Sequence, residues 1–400
     1  MKDETKKILC LSVILMLLIF SVYASSGYFE HEEVVGNDVA IADESAFEEE
    51  LFIQEVKDSE GVFTKYTDRA KEILKTMTLE DKVGQMFLVR CPEENQLSLI
   101  KDYSPGGFVL YERDFKDKSW HRVVGDIKSY QYTTKLPMFI AVDEEGGDVV
   151  RVSKFKEFRG FPFLSPREIF LSDGFKGIDL DAAEKSQLLK KLGVNLNFAP
   201  VCDVTTDQNA FMYSRSFGMD EISTATYVKT VVNAMINNGM GSVLKHFPGY
   251  GNNKDTHTAV VRDNRDISEL EKSDFVPFKA GINEGAAGIM ISHIIVESID
   301  KEYPASLSVE VHKLLRNSLK YQGVIITDAL DMAGVSEMKD HKEVAIRAVK
   351  AGNDMLIVTN YRDQIKAVVD AVKGNEIPLS MIDSSVIRIL SWKLMLGVIA

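Results

Sequence analysis

Cysteine is scarce in this chain of 400 residues: Cys10 sits in an apolar N-terminal run, and only Cys91 and Cys202 remain. These two could form one bridge, but nothing in the sequence requires it, and two free, buried thiols are expected. Metal-site patterns are missing too. There is no H-E-x-x-H and no close Cys/His cluster, so neither a metal nor a cofactor is expected. No basic patch is present, which argues against nucleic acid as a partner. No low-complexity segment follows Val62. No G-x-G-x-x-G turn follows the first candidate strand, which speaks against an open dinucleotide-binding sheet.

The two ends of the composition differ. Lys2, Lys6 and Lys7 precede the apolar stretch Ile8 to Ala24, whose end, Val22–Tyr23–Ala24, suits a small-residue cleavage site. Residues 1–24 read as a signal peptide or, uncleaved, as an N-terminal anchor, since 17 apolar residues lie at the low edge of a membrane span. No lipid-anchor cysteine closes the run. Residues 25–61 read as an acidic linker. Within 28–61 there are twelve Asp or Glu and one Lys, so eleven of the thirteen net negative charges lie there. Such a block is a solvated spacer or a tail without a role. An exported protein, extracellular or held at the cell envelope, is expected.

From residue 62 to 400 short apolar runs alternate with longer charged stretches. The candidate strands span 85–90, 106–111, 138–143, 194–201, 241–247, 288–293, 323–328 and 354–359, with amphipathic helices expected over 308–321 and 342–352. Eight strands alternating with helices predict an α/β protein with a single (β/α)8 TIM-type barrel. Asp143, Asp203, Lys245, His246, His293 and Asp328 fall at or just past the C-terminal ends of these strands, the active face of such a barrel. Strand ends collect polar residues in any case, but carboxylates and histidines from several strands point to a site.

Residue chemistry narrows the possibilities. Asp328 ends the apolar run "VIITD" and could attack an electrophilic carbon or stabilise a cation; the alternative is a helix N-cap. His257 can give and take a proton, with Asp255 holding its tautomer, or the pair can be a plain Asx-turn. Asp143 and Arg151, separated by a glycine pair in "DEEGGDVVR", can grip sugar hydroxyls or an anion, or simply form a βα turn. An Asp nucleophile with a proton donor is what retaining glycoside hydrolysis needs.

The motifs taken together resemble glycoside hydrolase family 3, its β-N-acetylglucosaminidase branch. "MTLEDKVGQMF" (77–87), "DEEGGDVVR" (143–151), "LNFAPVCDV" (196–204), "SRSFG" (214–218), "KHFPGYG" (245–251), "MISHIIVESIDKEYPASLS" (290–308) and "ITDALDM" (326–332) occur in family order. The resemblance implies Asp328 as nucleophile and His257, assisted by Asp255, as general acid/base. It implies Asp143, Arg151, Arg215, Lys245, His246 and His293 as sugar-binding residues. The substrate it implies is an amino-sugar glycan or muropeptide, with a membrane tether through residues 8–24. Phosphorolysis of the same bond, β-glucosidase activity and non-catalytic glycan binding are the other outcomes. Two departures stand out: Tyr250 occupies the place of a second His, and the stretch from Gly251 to Asp255 is one residue short of the common pattern.

Overall fold

The computed structural model describes residues 61–256, 260–336 and 340–400. The signal or anchor segment, all of the acidic linker except Gly61, and His257 therefore lie outside the described residues. Eight parallel strands close into a barrel: β1 Phe87–Arg90, β2 Gly107–Leu110, β3 Phe139–Val142, β4 Leu196–Asn197, β5 Gly241–Phe247, β6 Gly288–Ile291, β7 Val324–Ala329 and β8 Met355–Val358. Closure is direct, with Phe87, Leu88 and Val89 of β1 in register with Leu356, Ile357 and Val358 of β8.

The strands form because β-branched and aromatic residues face apolar neighbours on both sides. The parallel barrel is covered outside by helices and filled inside by side chains, so the runs FLVR, GFVL, FIAV and MLIV show no alternation. Glycine is required where backbones crowd. A Cβ on Gly107 would lie 2.4 Å from the Phe139 carbonyl oxygen of the neighbouring strand.

The expected strand over 194–201 is only Leu196–Asn197. Pro200 has no N–H to donate, and past it the chain touches β5 through a single bridge between Val201 and Lys245. The helix expected over 308–321 is an α-turn, Val309–Lys313, followed by a π-turn, Leu314–Ser318. The one over 342–352 spans His341–Ala351, with Asp340 as N-cap and Gly352 in the left-handed region after it. Cys91 and Cys202 are both free and buried, and burial pushes the Cys91 thiol up to about 12.

The N-terminal end of the barrel carries a buried lysine. Lys393, on the helix Leu379–Met395, is fully buried; its Nζ donates to Gln85 Oε1 at 2.7 Å and lies 5.2 Å from the Phe139 ring centroid. Burial holds its pKa down at about 7. The unfolded chain thus binds this proton up to about pH 10.4 while the folded one does not, so stability rises with pH between about 7 and 10.4. Lys393→Met should remove that slope. Thermal melts should show the variant's advantage over the wild type shrinking as pH is raised from 7 to 10.

Candidate active site

The C-terminal ends of the strands and the loops that follow them supply the polar side chains of the barrel mouth. The loop after β3 carries the adjacent carboxylates Asp143, Glu144 and Glu145. Glu144 is buried and turned into its own loop: its carboxylate accepts the backbone N–H groups of Arg151 (2.8 Å), Val152 (2.8 Å) and Ser153 (3.0 Å). Gly146 and Gly147, at φ 104° and 61°, make the turn that lets this happen. Arg151 is thereby fixed at its backbone and is half-buried.

Glu145 points the other way and organises the site. It receives Lys245 Nζ at 2.6 Å on Oε1, and Arg215 Nη2 and Nε at 2.7 and 3.1 Å on Oε1 and Oε2. Burial alone would raise its pKa, but the Arg215 and Lys245 cations hold the carboxyl well below the usual carboxylate range. Lys245 also donates to Asp143 Oδ1 at 2.6 Å. Arg215 Nη2 lies 3.4 Å from His246 Nε2, and His246 Nδ1 meets Asp203 Oδ2 at 2.7 Å. Asp143, Lys245, Glu145, Arg215, His246 and Asp203 are therefore one continuous polar network on β3, β5 and the loop after β4. Charge-assisted bonds of this kind are short and geometrically selective.

Asp328 closes β7 opposite this network, and its Oδ1 accepts the Ala329 N–H at 2.8 Å. Two phenols report its surroundings. Burial pushes the Tyr111 phenol up, and the carboxylates of Asp143, Asp328 and Asp331 push it further; for Tyr250 burial and Asp328 do the same. Both phenols thus lie within electrostatic reach of the nucleophile candidate. Arg90 covers the Tyr111 ring at 4.5 Å. His293 is fully buried beneath, with Nδ1 2.7 Å from Ser306 Oγ and Nε2 2.9 Å from the Ala329 carbonyl, so it braces the backbone that follows Asp328.

The loop after β5 is anchored at three points. At its stem, Arg265 is held between Asp263 and Asp274, with Nη2 to Asp263 Oδ2 and Nη1 to Asp274 Oδ2 both at 2.7 Å, and its guanidinium fills the space that a Cβ on Gly251 would need. Midway, the Tyr250 N–H donates to Asp203 Oδ1 at 2.8 Å, and its phenol hydrogen-bonds Thr256 Oγ1. At the far end, the Gly334 N–H donates to the Thr256 carbonyl at 3.1 Å. Residue 256 therefore sits against the turn that follows Asp328. Asp255 is half-buried next to it, and His257 follows immediately outside the described residues.

Sequence reasoning missed Glu145, Tyr111 and Tyr250 as members of the site, and it placed Asp203 at a strand end without a partner. Glu145 could have been found: in "DEEGG" two glutamates precede the glycine pair, and only one can serve the turn. Nothing in the sequence signalled Tyr111.

A parallel barrel with a strand-end Asp and a buried Lys–Glu–Arg network at its mouth is an arrangement that carbohydrate-cleaving enzymes can use. The profile of the glycosyl hydrolase family 3 N-terminal domain matches residues 78–392. The beta-hexosaminidase of Methylococcus capsulatus is 32% identical over 276 residues, covering 67% of this chain and 80% of that one. Beta-hexosaminidase LpqI of Mycobacterium tuberculosis is 31% identical over 326 residues, covering 78% and 82%. The solved structure of a glycoside hydrolase family 3 beta-N-acetylglucosaminidase from Paenibacillus superposes with a TM-score of 0.76 at 27% identity; it matches 81% of this chain, which spans 64% of that protein. The chain belongs to glycosyl hydrolase family 3 and is a glycoside hydrolase.

Glu145→Gln should leave two buried cations without their shared anion and cost about 3–5 kcal/mol in urea melts at pH 7. Because the folded carboxyl titrates below the unfolded one, the ion-paired form stabilises the fold above about pH 4.3 and its contribution is lost as pH falls further. The difference between wild type and variant should therefore narrow below about pH 5.

Proposed function

We propose that this protein is a retaining exo-β-N-acetylglucosaminidase that removes terminal β-linked N-acetylglucosamine from amino-sugar glycans, peptidoglycan fragments among them. The observation that carries this reading is the bond between Gly334 and Thr256, which fastens Thr256, the residue that follows Asp255, to the turn after Asp328. It supports a reading in which the segment that leads to His257 and the Asp328 carboxylate serve one bond. The names of the related beta-hexosaminidases and of the similar beta-N-acetylglucosaminidase structure support the choice of sugar.

In the first step the Asp328 carboxylate attacks the anomeric carbon. The bond from that carbon to the leaving oxygen breaks, and His257 delivers its proton to that oxygen. Asp255 orients the imidazole and favours its charged form. In the second step the imidazole takes a proton from water, the water oxygen attacks the anomeric carbon, and the ester to Asp328 breaks with its electrons returning to the carboxylate. Asp143, Lys245, His246, Arg215 and Arg151 hold the sugar. The Glu145 bridge keeps Lys245 and Arg215 aimed without letting either drift onto Asp328.

The apolar segment 8–24 and the acidic stretch behind it would, as a signal or tether and a spacer, set the barrel at or outside the cell envelope.

Asp328→Asn should reduce kcat on aryl N-acetylglucosaminides by at least about a thousandfold, and a 2-fluoro sugar should label Asp328 in the wild type; mass spectrometry without such a label would sink the double displacement. His257→Ala should lose far more activity on N,N′-diacetylchitobiose than on a nitrophenyl glycoside, whose leaving group needs little protonation. Tyr250→Phe removes the tie to Thr256. It should cost about 1 kcal/mol of stability and slow the poor leaving group more than the good one.

A further inference from the structure

The stretch "MISHIIVESIDKEYPASLS" holds two buried polar residues that no step of the proposed reaction uses, His293 and Ser306. His293 lies just past β6, and Ser306 sits in a short 3-10 turn, Ala305–Leu307; neither has exposed surface. His293 Nδ1 is 2.7 Å from Ser306 Oγ, and its Nε2 is 2.9 Å from the Ala329 carbonyl oxygen. A carbonyl oxygen only accepts, so Nε2 carries the hydrogen of that bond. On a neutral ring Nδ1 is then the acceptor, and the Ser306 hydroxyl donates to it.

Ser306 is itself fixed. Its N–H donates to the Ser292 carbonyl at 3.0 Å, and its carbonyl accepts Asn353 Nδ2 at 2.7 Å. The same Asn353 Nδ2 donates to the Ala348 carbonyl at 2.8 Å, on the helix His341–Ala351. At the other end, the peptide unit between Ala329 and Leu330 is pinned on both sides. Its carbonyl takes His293 Nε2 and, at 3.1 Å, the Met332 N–H; its N–H, on Leu330, donates to the Ile357 carbonyl at 2.9 Å. The Ala329 N–H in turn donates to Asp328 Oδ1 at 2.8 Å. A chain of side chains and backbone, Asn353 to Ser306 to His293 to Ala329, thus ends on the amide that orients the nucleophile candidate.

We infer that Ser306 is a positioning residue for Asp328: its hydroxyl holds His293 in the Nε2–H tautomer, and that ring holds the backbone whose amide aims the attacking oxygen. The inference rests on the reading of Asp328 as nucleophile. With the hydrogen on Nδ1 instead, bare Nε2 and the Ala329 carbonyl would set two acceptors face to face, and the brace would become a repulsion. Attack at carbon tolerates little error, since a misplacement of about 1 Å can cost about a hundredfold in rate. The sugar-gripping network stands on β3, β5 and the loop after β4, so its grip does not pass through Ser306.

The test compares wild type with Ser306→Ala and Ser306→Thr, using the rate at which a 2-fluoro sugar labels Asp328 as the direct measure of attack. Ser306→Ala should slow labelling about tenfold while the dissociation constant of the sugar stays within about twofold, and Ser306→Thr, which keeps a hydroxyl, should recover most of the rate. Unchanged labelling in Ser306→Ala, or a loss carried by weaker binding alone, would overturn the inference. Nitrogen-15 NMR of histidine-labelled wild type, with the His293 signal located by its loss in His293→Gln, reads the hydrogen placement without any change at position 306. A hydrogen on Nε2 and none on Nδ1 is expected; a hydrogen on Nδ1 refutes the inference whatever the kinetics. Should neither Ser306 variant fold, that spectrum decides alone. A wild type in which Asp328 takes no label defeats the double-displacement reading instead, and the spectrum then still decides whether Ser306 holds His293.

Discussion

The Glu145 carboxylate, buried between Lys245 and Arg215, is the interaction on which the mouth of this barrel depends. Two cations from β5 and from the loop after β4 would otherwise repel one another in a medium with little water to screen them. With one anion shared between them, the remaining positive character is turned outward, toward Asp143 and His246. The arrangement is costly to assemble and more costly to break, which is the usual asymmetry of buried ion pairs. It works here because Glu145 is rooted in a loop already made rigid by its neighbour Glu144.

Much of the barrel could be read from the chain because its strands are buried on both faces. Runs such as "MFIAVD" and "GVIITD" leave little else for the backbone to be, and polar residues at their ends mark the mouth. Where the reading failed, the backbone chemistry was local. Pro200 broke the fourth strand, and a π-turn at Leu314–Ser318 replaced regular helix. The strand-end site residues were legible by position, yet their partners were not. Lys245 and Asp143 are 102 residues apart, and Arg215 and Glu145 are 70. No periodicity connects such pairs; only the closed sheet does.

Tyr250, a departure from the family's loop pattern, has a structural explanation. Its ring packs edge-on to His246 at 5.4 Å, its N–H serves Asp203 and its phenol holds Thr256. One residue thus ties the His246–Asp203 side of the mouth to Thr256. The Arg265 clamp holds the same loop at its stem.

The opposite fates of Glu144 and Glu145 bear on how this surface can be re-engineered. Adjacent side chains on an extended segment face opposite ways, so a single-residue deletion or insertion between Val142 and Gly146 would exchange them. The carboxylate that now gathers three amides would be presented to the cations, and the turn would lose its internal staple. Length variation at this edge of the barrel is therefore closed, whereas substitutions that keep the spacing intact leave the two carboxylates on their separate tasks.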